Sequence, residues 1–173
     1  GAGLDERGVI LLRALFRYLR QTGLAYGLQT VADALRTAAP VAQALMALFD
    51  ALHDPAHQAQ SAPLADAANA AIEAGLGGVA AIDDDRILRL YRAVIRATLR
   101  TNMFAPAAAE ALAFKLESAQ VPGLPDPKPW REIFVYSPRV EGIHLRAGPV
   151  ARGGLRWSDR RDDFRTEILG LMK

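Results

Sequence analysis

Between Val121 and Pro129 the chain reads Val-Pro-Gly-Leu-Pro-Asp-Pro-Lys-Pro, four prolines in nine residues. Each proline fixes its own φ and lacks a backbone N–H, so the stretch excludes both a helix interior and a central strand. It is a linker or a segment wrapped across other elements. The spacing of apolar residues differs on its two sides, which makes it the natural divide of the chain.

Upstream, the spacing is helical. Asp5 is placed to cap a helix in which Leu12, Leu15, Phe16 and Leu19 recur on one side and Arg13, Arg17 and Arg20 lie opposite, with Gly23 as terminator. A short helix is expected over Leu28 to Arg36. Pro40 suits the first position of the next, which carries Leu45, Leu48, Phe49 and Leu52 and ends before Asp54-Pro55. Residues 54–63 read as a loop, and the Ala-rich stretch 64–81 as a helix weakened by Gly75, Gly77 and Gly78.

The clearest helix begins at Asp83 or Asp84. Arg86, Arg89, Arg92, Arg96 and Arg100 fall within about a third of its circumference at ~100° per residue. Ile87, Leu90, Tyr91, Val94, Ile95 and Leu99 take the other side. A basic stripe can meet phosphates. The preferred reading is a solvated face whose arginines pair with acids of a neighbouring element, because neither interleaved aromatics nor a Gly-rich loop accompanies it. Asp83, Asp84 and Asp85 sit where the helix dipole favours negative charge, so they read as a cap rather than a Mg²⁺ site.

With 21 basic and 19 acidic residues the net charge is only +2, which does not by itself point to a nucleic acid. Cysteine is absent, so disulfides and thiolate chemistry are excluded; this fits a reducing, cytoplasmic setting. No apolar run approaches the roughly 20 residues of a membrane span, and no signal peptide is visible. His53, His57 and His144 lack metal-ligand spacing, so no metal site is expected. Phe104, Phe114, Trp130 and Phe134 read as core.

Around and beyond the prolines the spacing changes. Ala113 to Glu117 leans to strand. Glu132-Ile-Phe-Val-Tyr136 is β-rich, and Val140 to Arg146 alternates, with Glu141, Ile143 and Leu145 on one side. Next comes Arg152-Gly-Gly-Leu-Arg156. Gly153 and Gly154 permit close backbone approach. In an extended segment Arg152 and Arg156 share a face, so two guanidinium forks beside a glycine floor suit a carboxylate. Asp159 is placed to orient one of them. The alternative is a structural ion network with Asp159, Asp162 and Asp163, and spacing alone does not choose between the two. Asp162 or Asp163 then caps a helix bearing Phe164, Ile168, Leu171 and Met172, expected still in stride at Lys173. With its Gly-Ala-Gly start, the chain reads as an excerpt of a longer protein.

Phe134-Val-Tyr-Ser-Pro-Arg-Val-Glu-Gly-Ile-His-Leu-Arg146 and Val150 to Lys173 resemble the entry into the catalytic domain of the large NAD-specific glutamate dehydrogenases. The resemblance is most specific over 131–173. It extends to Val121-Pro-Gly-Leu-Pro and to Asp83 to Asn102, and through them to the whole chain, whose N-terminal helices then look like part of a regulatory or scaffolding region. Arg152-Gly-Gly-Leu-Arg156 is similar to the Lys-Gly-Gly-x-Arg of the smaller glutamate dehydrogenases, whose Lys and Arg help hold the substrate's carboxylates. Arg replaces Lys at 152, which keeps the charge but changes reach and geometry, and Ala147 and Pro149 depart from the Gly and Lys of that loop.

The resemblance implies oxidative deamination of L-glutamate to 2-oxoglutarate and ammonia with NAD⁺. It assigns substrate binding to Arg152, Gly153, Gly154 and Arg156. Hydride-transfer residues and NAD are assigned to parts outside these 173 residues, because no G-x-G-x-x-G with a following acid is found. Lys173 sits too close to the Gly-Gly-Leu-Arg stretch to be the family's first downstream lysine and reads as an ordinary helix residue. The expected fold is α+β: a helical region over 1–112, a Pro-rich linker or crossing segment over 113–130, and the truncated start of a substrate domain over 131–173. The piece alone is expected to be inactive, its parent a homo-oligomer, without nucleic-acid or membrane partners. The competing reading is a helical protein-interaction module without catalysis.

Overall fold

The computed structural model describes residues 2–158 and 164–173, which fall into two compact units. The first holds the residues up to Phe16 together with Ala25–Arg96. The second holds Arg17–Leu24 and the described part of Ala97–Lys173. The class is α+β, as expected, with helices mostly N-terminal and one antiparallel sheet.

The helices of the first unit follow their apolar spacing. α1 (Glu6–Gln21) is capped by Asp5, whose Oδ1 accepts from Gly8 N at 2.8 Å. Its end is closed by Gly23 at φ 91° and by Leu24 N donating to Leu19 O at 3.2 Å. α2 (Leu28–Thr37) and α3 (Ala39–His53, with Pro40 in its first turn) follow. The expected loop after Asp54 is largely helical instead. Asp54 accepts from Ala56 N at 2.9 Å, Pro55–Gln60 forms a 3-10 helix, and α4 (Ser61–Leu76) starts at once. Pro55 fixes a helical φ in the first turn, and the Ala, Gln and His that follow do not oppose it. α4 stops at Leu76, where Gly77 and Gly78 take over, earlier than the expected 81. Leu11, Leu15, Leu45, Leu48, Phe49, Ile72, Ile87 and Tyr91 are buried here, and Tyr91 Oη donates to Leu12 O at 2.9 Å.

α5 (Ile82–Ala97) ends before the expected Leu99–Arg100. Thr98–Thr101 is strand β1, which pairs with β2 (Leu112–Glu117) across a bulge between Thr98 and Arg100. Two β-branched threonines make the segment ambiguous locally, and sheet pairing decides it. β3 (Arg131–Tyr136), β4 (Val140–Ala147) and β5 (Val150–Trp157) complete a five-stranded antiparallel meander in sequence order. Its registers place Leu116, Glu132, Leu145 and Arg152 in one cross-sheet row. Phe114, Phe134, Ile143 and Gly154 form the next; Leu112, Tyr136, Glu141 and Arg156 form a third.

Helix α6 (Phe164–Gly170) buries Phe164, Ile168 and Leu169. It does not continue to Lys173: Leu171 N and Met172 N close a turn on Ile168 O and Leu169 O. The proline segment carries buried Val121 and Leu124, with Gly123 at φ 76° beside Thr22 O. Two of the four aromatics expected in the core depart from it: Phe104 is half-buried, and Trp130 is 56% exposed with the Arg131 guanidinium 4.6 Å over its ring.

Candidate functional site

Strand alternation places Arg152, Gly154 and Arg156 on one face of β5, as the spacing predicted, but their surroundings differ. Arg152 is exposed and donates through Nη1 to the Ala151 carbonyl at 2.7 Å. Arg156 retains 15% side-chain exposure. Its guanidinium lies 5.0 Å from the Phe164 ring centroid, and its Nη2 is 3.7 Å from Oε2 of Glu141, the residue opposite it on β4. The two cations thus share a face without sharing an environment.

The glycines have local packing reasons to be bare. A Cβ on Gly153 would stand 2.6 Å from the Ile143 carbonyl oxygen, against backbone that cannot yield. A Cβ on Gly154 would meet Ile168 Cδ1 at 3.1 Å and Phe164 Cε2 at 3.4 Å, so α6 lies over this glycine. Gly153 faces the opposite side of the sheet. Asp159, Asp162 and Asp163, expected to orient the arginines or cap α6, lie outside the described residues.

Two buried carboxylates, not singled out from the sequence, organise this part of the molecule. Glu141 is fully buried and accepts from Arg17 Nε, while Arg17 Nη2 donates to Ser158 O at 2.5 Å. Glu132 is held on four sides: Arg165 donates to both of its oxygens, at 2.9 and 2.6 Å, Ser118 Oγ donates at 2.6 Å, and Tyr18 Oη donates as well. A charge with no exposure requires such compensation. Burial, reinforced by the negative Glu132, pushes the Tyr18 hydroxyl well above its ordinary pKa, so it remains a donor. For Arg165 burial opposes the charge, but the hydrogen bonds it donates to Glu132 and that group's negative charge outweigh it and raise its pKa. The sequence does hold a signal for these carboxylates. Each occupies a position that alternation assigns to an apolar face, Glu132 beside Phe134 and Glu141 beside Ile143. Nothing comparable marks Arg17 or Tyr18 within α1.

Elsewhere the basic stripe is largely engaged within the first unit. Arg89 pairs with Asp85 at 2.9 Å, Arg92 with Glu73 at 2.5 Å, and Arg86 donates to Tyr26 Oη at 3.3 Å; Arg100 leaves the stripe for β1. His53 packs on Phe49 at 4.8 Å between ring centroids, and His144 is exposed on β4. Among the described residues no group of three or more His, Cys, Asp or Glu is arranged to hold a metal, and no helix is long and apolar enough to cross a membrane.

Residues 71–173 match the family model for the bacterial NAD-glutamate dehydrogenase catalytic domain, and residues 1–55 match that for glutamate dehydrogenase helical motif 3. Three curated proteins named NAD-specific glutamate dehydrogenase match along essentially the whole chain. The one from Mycobacterium tuberculosis is 49% identical over 178 residues, that from Pseudomonas aeruginosa 47% over 179, and that from Halomonas elongata 45% over 177. The chain spans only 11% of the length of each. With well over half of it matched by the catalytic-domain model, the chain belongs to the bacterial NAD-glutamate dehydrogenase family.

Proposed function

We propose that the protein to which this chain belongs oxidises L-glutamate with NAD⁺ and water to 2-oxoglutarate, ammonium, NADH and a proton, and that β5 supplies part of the substrate's carboxylate site through Arg152, Gly153, Gly154 and Arg156. The observation that carries the reading is the placement of Arg152 and Arg156 on one face of a single strand in a chain of this family. Arginine remains charged at any working pH and offers a planar fork matched to a carboxylate. Arg152, in solvent, is the residue placed for direct contact. Arg156, packed between Phe164 and Glu141, presents only an edge and is held in a fixed orientation.

The described residues do not fit a dinucleotide. The sheet is antiparallel throughout, and no glycine-rich turn leads from a described strand into a helix. No step is therefore assigned to the cofactor here, and residues 1–173 alone are expected to show no turnover.

The reading is tested in the full-length protein by glutamate-dependent NAD⁺ reduction. Arg152→Ala and Arg156→Ala are each expected to raise KM for glutamate about 10- to 100-fold, the range of a lost charge-assisted hydrogen bond. An inactive full-length protein overturns the reaction. Unchanged turnover at low glutamate in both variants overturns the site.

A further inference from the structure

We propose that Arg17 and Glu141 are positioning residues for Arg156, so that helix α1 governs the strength of glutamate binding on β5. This rests on the reading of Arg156 given above. Arg17 falls within the stretch matched by the helical-motif model, whereas Glu141, Arg156 and Ser158 fall within the catalytic-domain stretch. In the structure all four belong to one compact unit. The last turn of α1 is therefore part of the substrate-domain fold.

The geometry assigns the roles. Glu141 has no exposure, so its charge must be met inside the protein. Two guanidinium groups flank it unequally. Arg17 makes a direct hydrogen bond to Oε1, while Arg156 stands 3.7 Å from Oε2, beyond hydrogen-bonding distance. Arg17 thus bonds one oxygen of the carboxylate, while the other takes no hydrogen bond and has Arg156 at ion-pair distance. Its second bond, to Ser158 O, ties the same guanidinium to the residue just after β5. Ser158 is itself fixed by Ser158 N donating to Arg139 O at 2.7 Å and Ser158 Oγ to Ser137 O at 3.1 Å. Without Arg17, Arg156 is the cation left beside the buried Glu141 among the described residues, and Glu141 draws it inward, away from the substrate side.

This mechanism has a signature that a merely structural role lacks: removing Glu141's charge relieves the loss of Arg17. In the full-length enzyme, Arg17→Ala is expected to raise KM for glutamate about tenfold, leaving kcat and KM for NAD⁺ within about twofold. Arg17→Lys, which keeps the cation, stays near wild type. Adding Glu141→Gln to Arg17→Ala returns KM to within about threefold of wild type, a coupling that contact through a shared partner requires. Thermal melts verify folding, and Arg17→Met, which keeps the apolar stem, is held to the same criteria if Arg17→Ala does not fold. An unchanged KM in Arg17→Ala and Arg17→Met, or a double variant no better than Arg17→Ala, sinks the proposal provided Arg156→Ala still raises KM. If Arg156→Ala itself has no effect, the assignment of Arg156 to substrate fails first.

Discussion

Glu132 shows how much one residue can demand of its surroundings. It lies on β3 between strands whose inward residues are otherwise largely apolar, and it is 2% exposed. Its two oxygens take bonds from Arg165, Ser118 and Tyr18, drawn from α6, a 3-10 turn and α1. Such a cluster is costly to break rather than strongly stabilising as built. Glu132→Ala leaves the fully buried Arg165 guanidinium without its counter-charge and is expected to lower stability by about 3–5 kcal/mol in urea denaturation. Adding Arg165→Met removes the stranded charge and should recover most of that loss. A double variant no better than Glu132→Ala would show that the cation is not what is left unsatisfied.

At the scale of elements, the α3–α4 pairing turns on a single missing side chain. Gly75 lies inside α4, where glycine costs about 0.5–1 kcal/mol relative to alanine. A Cβ there would stand 2.5 Å from Val41 Cγ2, however, and Val41 is 1% exposed on α3. Close approach outweighs propensity, so Gly75→Ala is expected to destabilise by about 1 kcal/mol net. Val41→Ala makes room, and the pair should be more stable than the sum of the single effects, a coupling that a double-mutant cycle in thermal melts reads directly. The same competition between local preference and packing ended α5. Thr98 to Thr101 has no strong preference of its own, and a partner strand at Leu112–Glu117 took it into the sheet.

For the molecule as a whole, pH acts through groups that folding buries. His53, packed on Phe49, has its pKa lowered from the usual 6.5 because burial disfavours the imidazolium. The unfolded chain then binds the proton more readily than the folded one, so His53's contribution is present above pH 6.5 and is lost as pH falls below it. Asp50 has the opposite sense at lower pH. Burial raises it above 3.8 despite the nearby Arg7, so its contribution favours the folded state in acid and fades as pH rises through its folded value. Between about pH 7.5 and 5.5 the histidine effect therefore applies. His53→Leu is expected to shrink the fall in Tm over that interval, and an unchanged fall would exclude His53 as its source. Periodicity, caps and breakers by themselves determined most of α1, α2, α3 and α5, the strands around Tyr136 and Leu145, and the shared face of Arg152 and Arg156, because each follows from neighbours a few residues apart. Only the tertiary structure decided that Arg156 lies against Glu141 while Arg152 stands in solvent, that α6 covers Gly154, and that Arg17 and Tyr18 reach the sheet's two buried carboxylates. The last of these joins residues more than a hundred positions apart, and what a charge costs or contributes depends on partners that no local spacing can name.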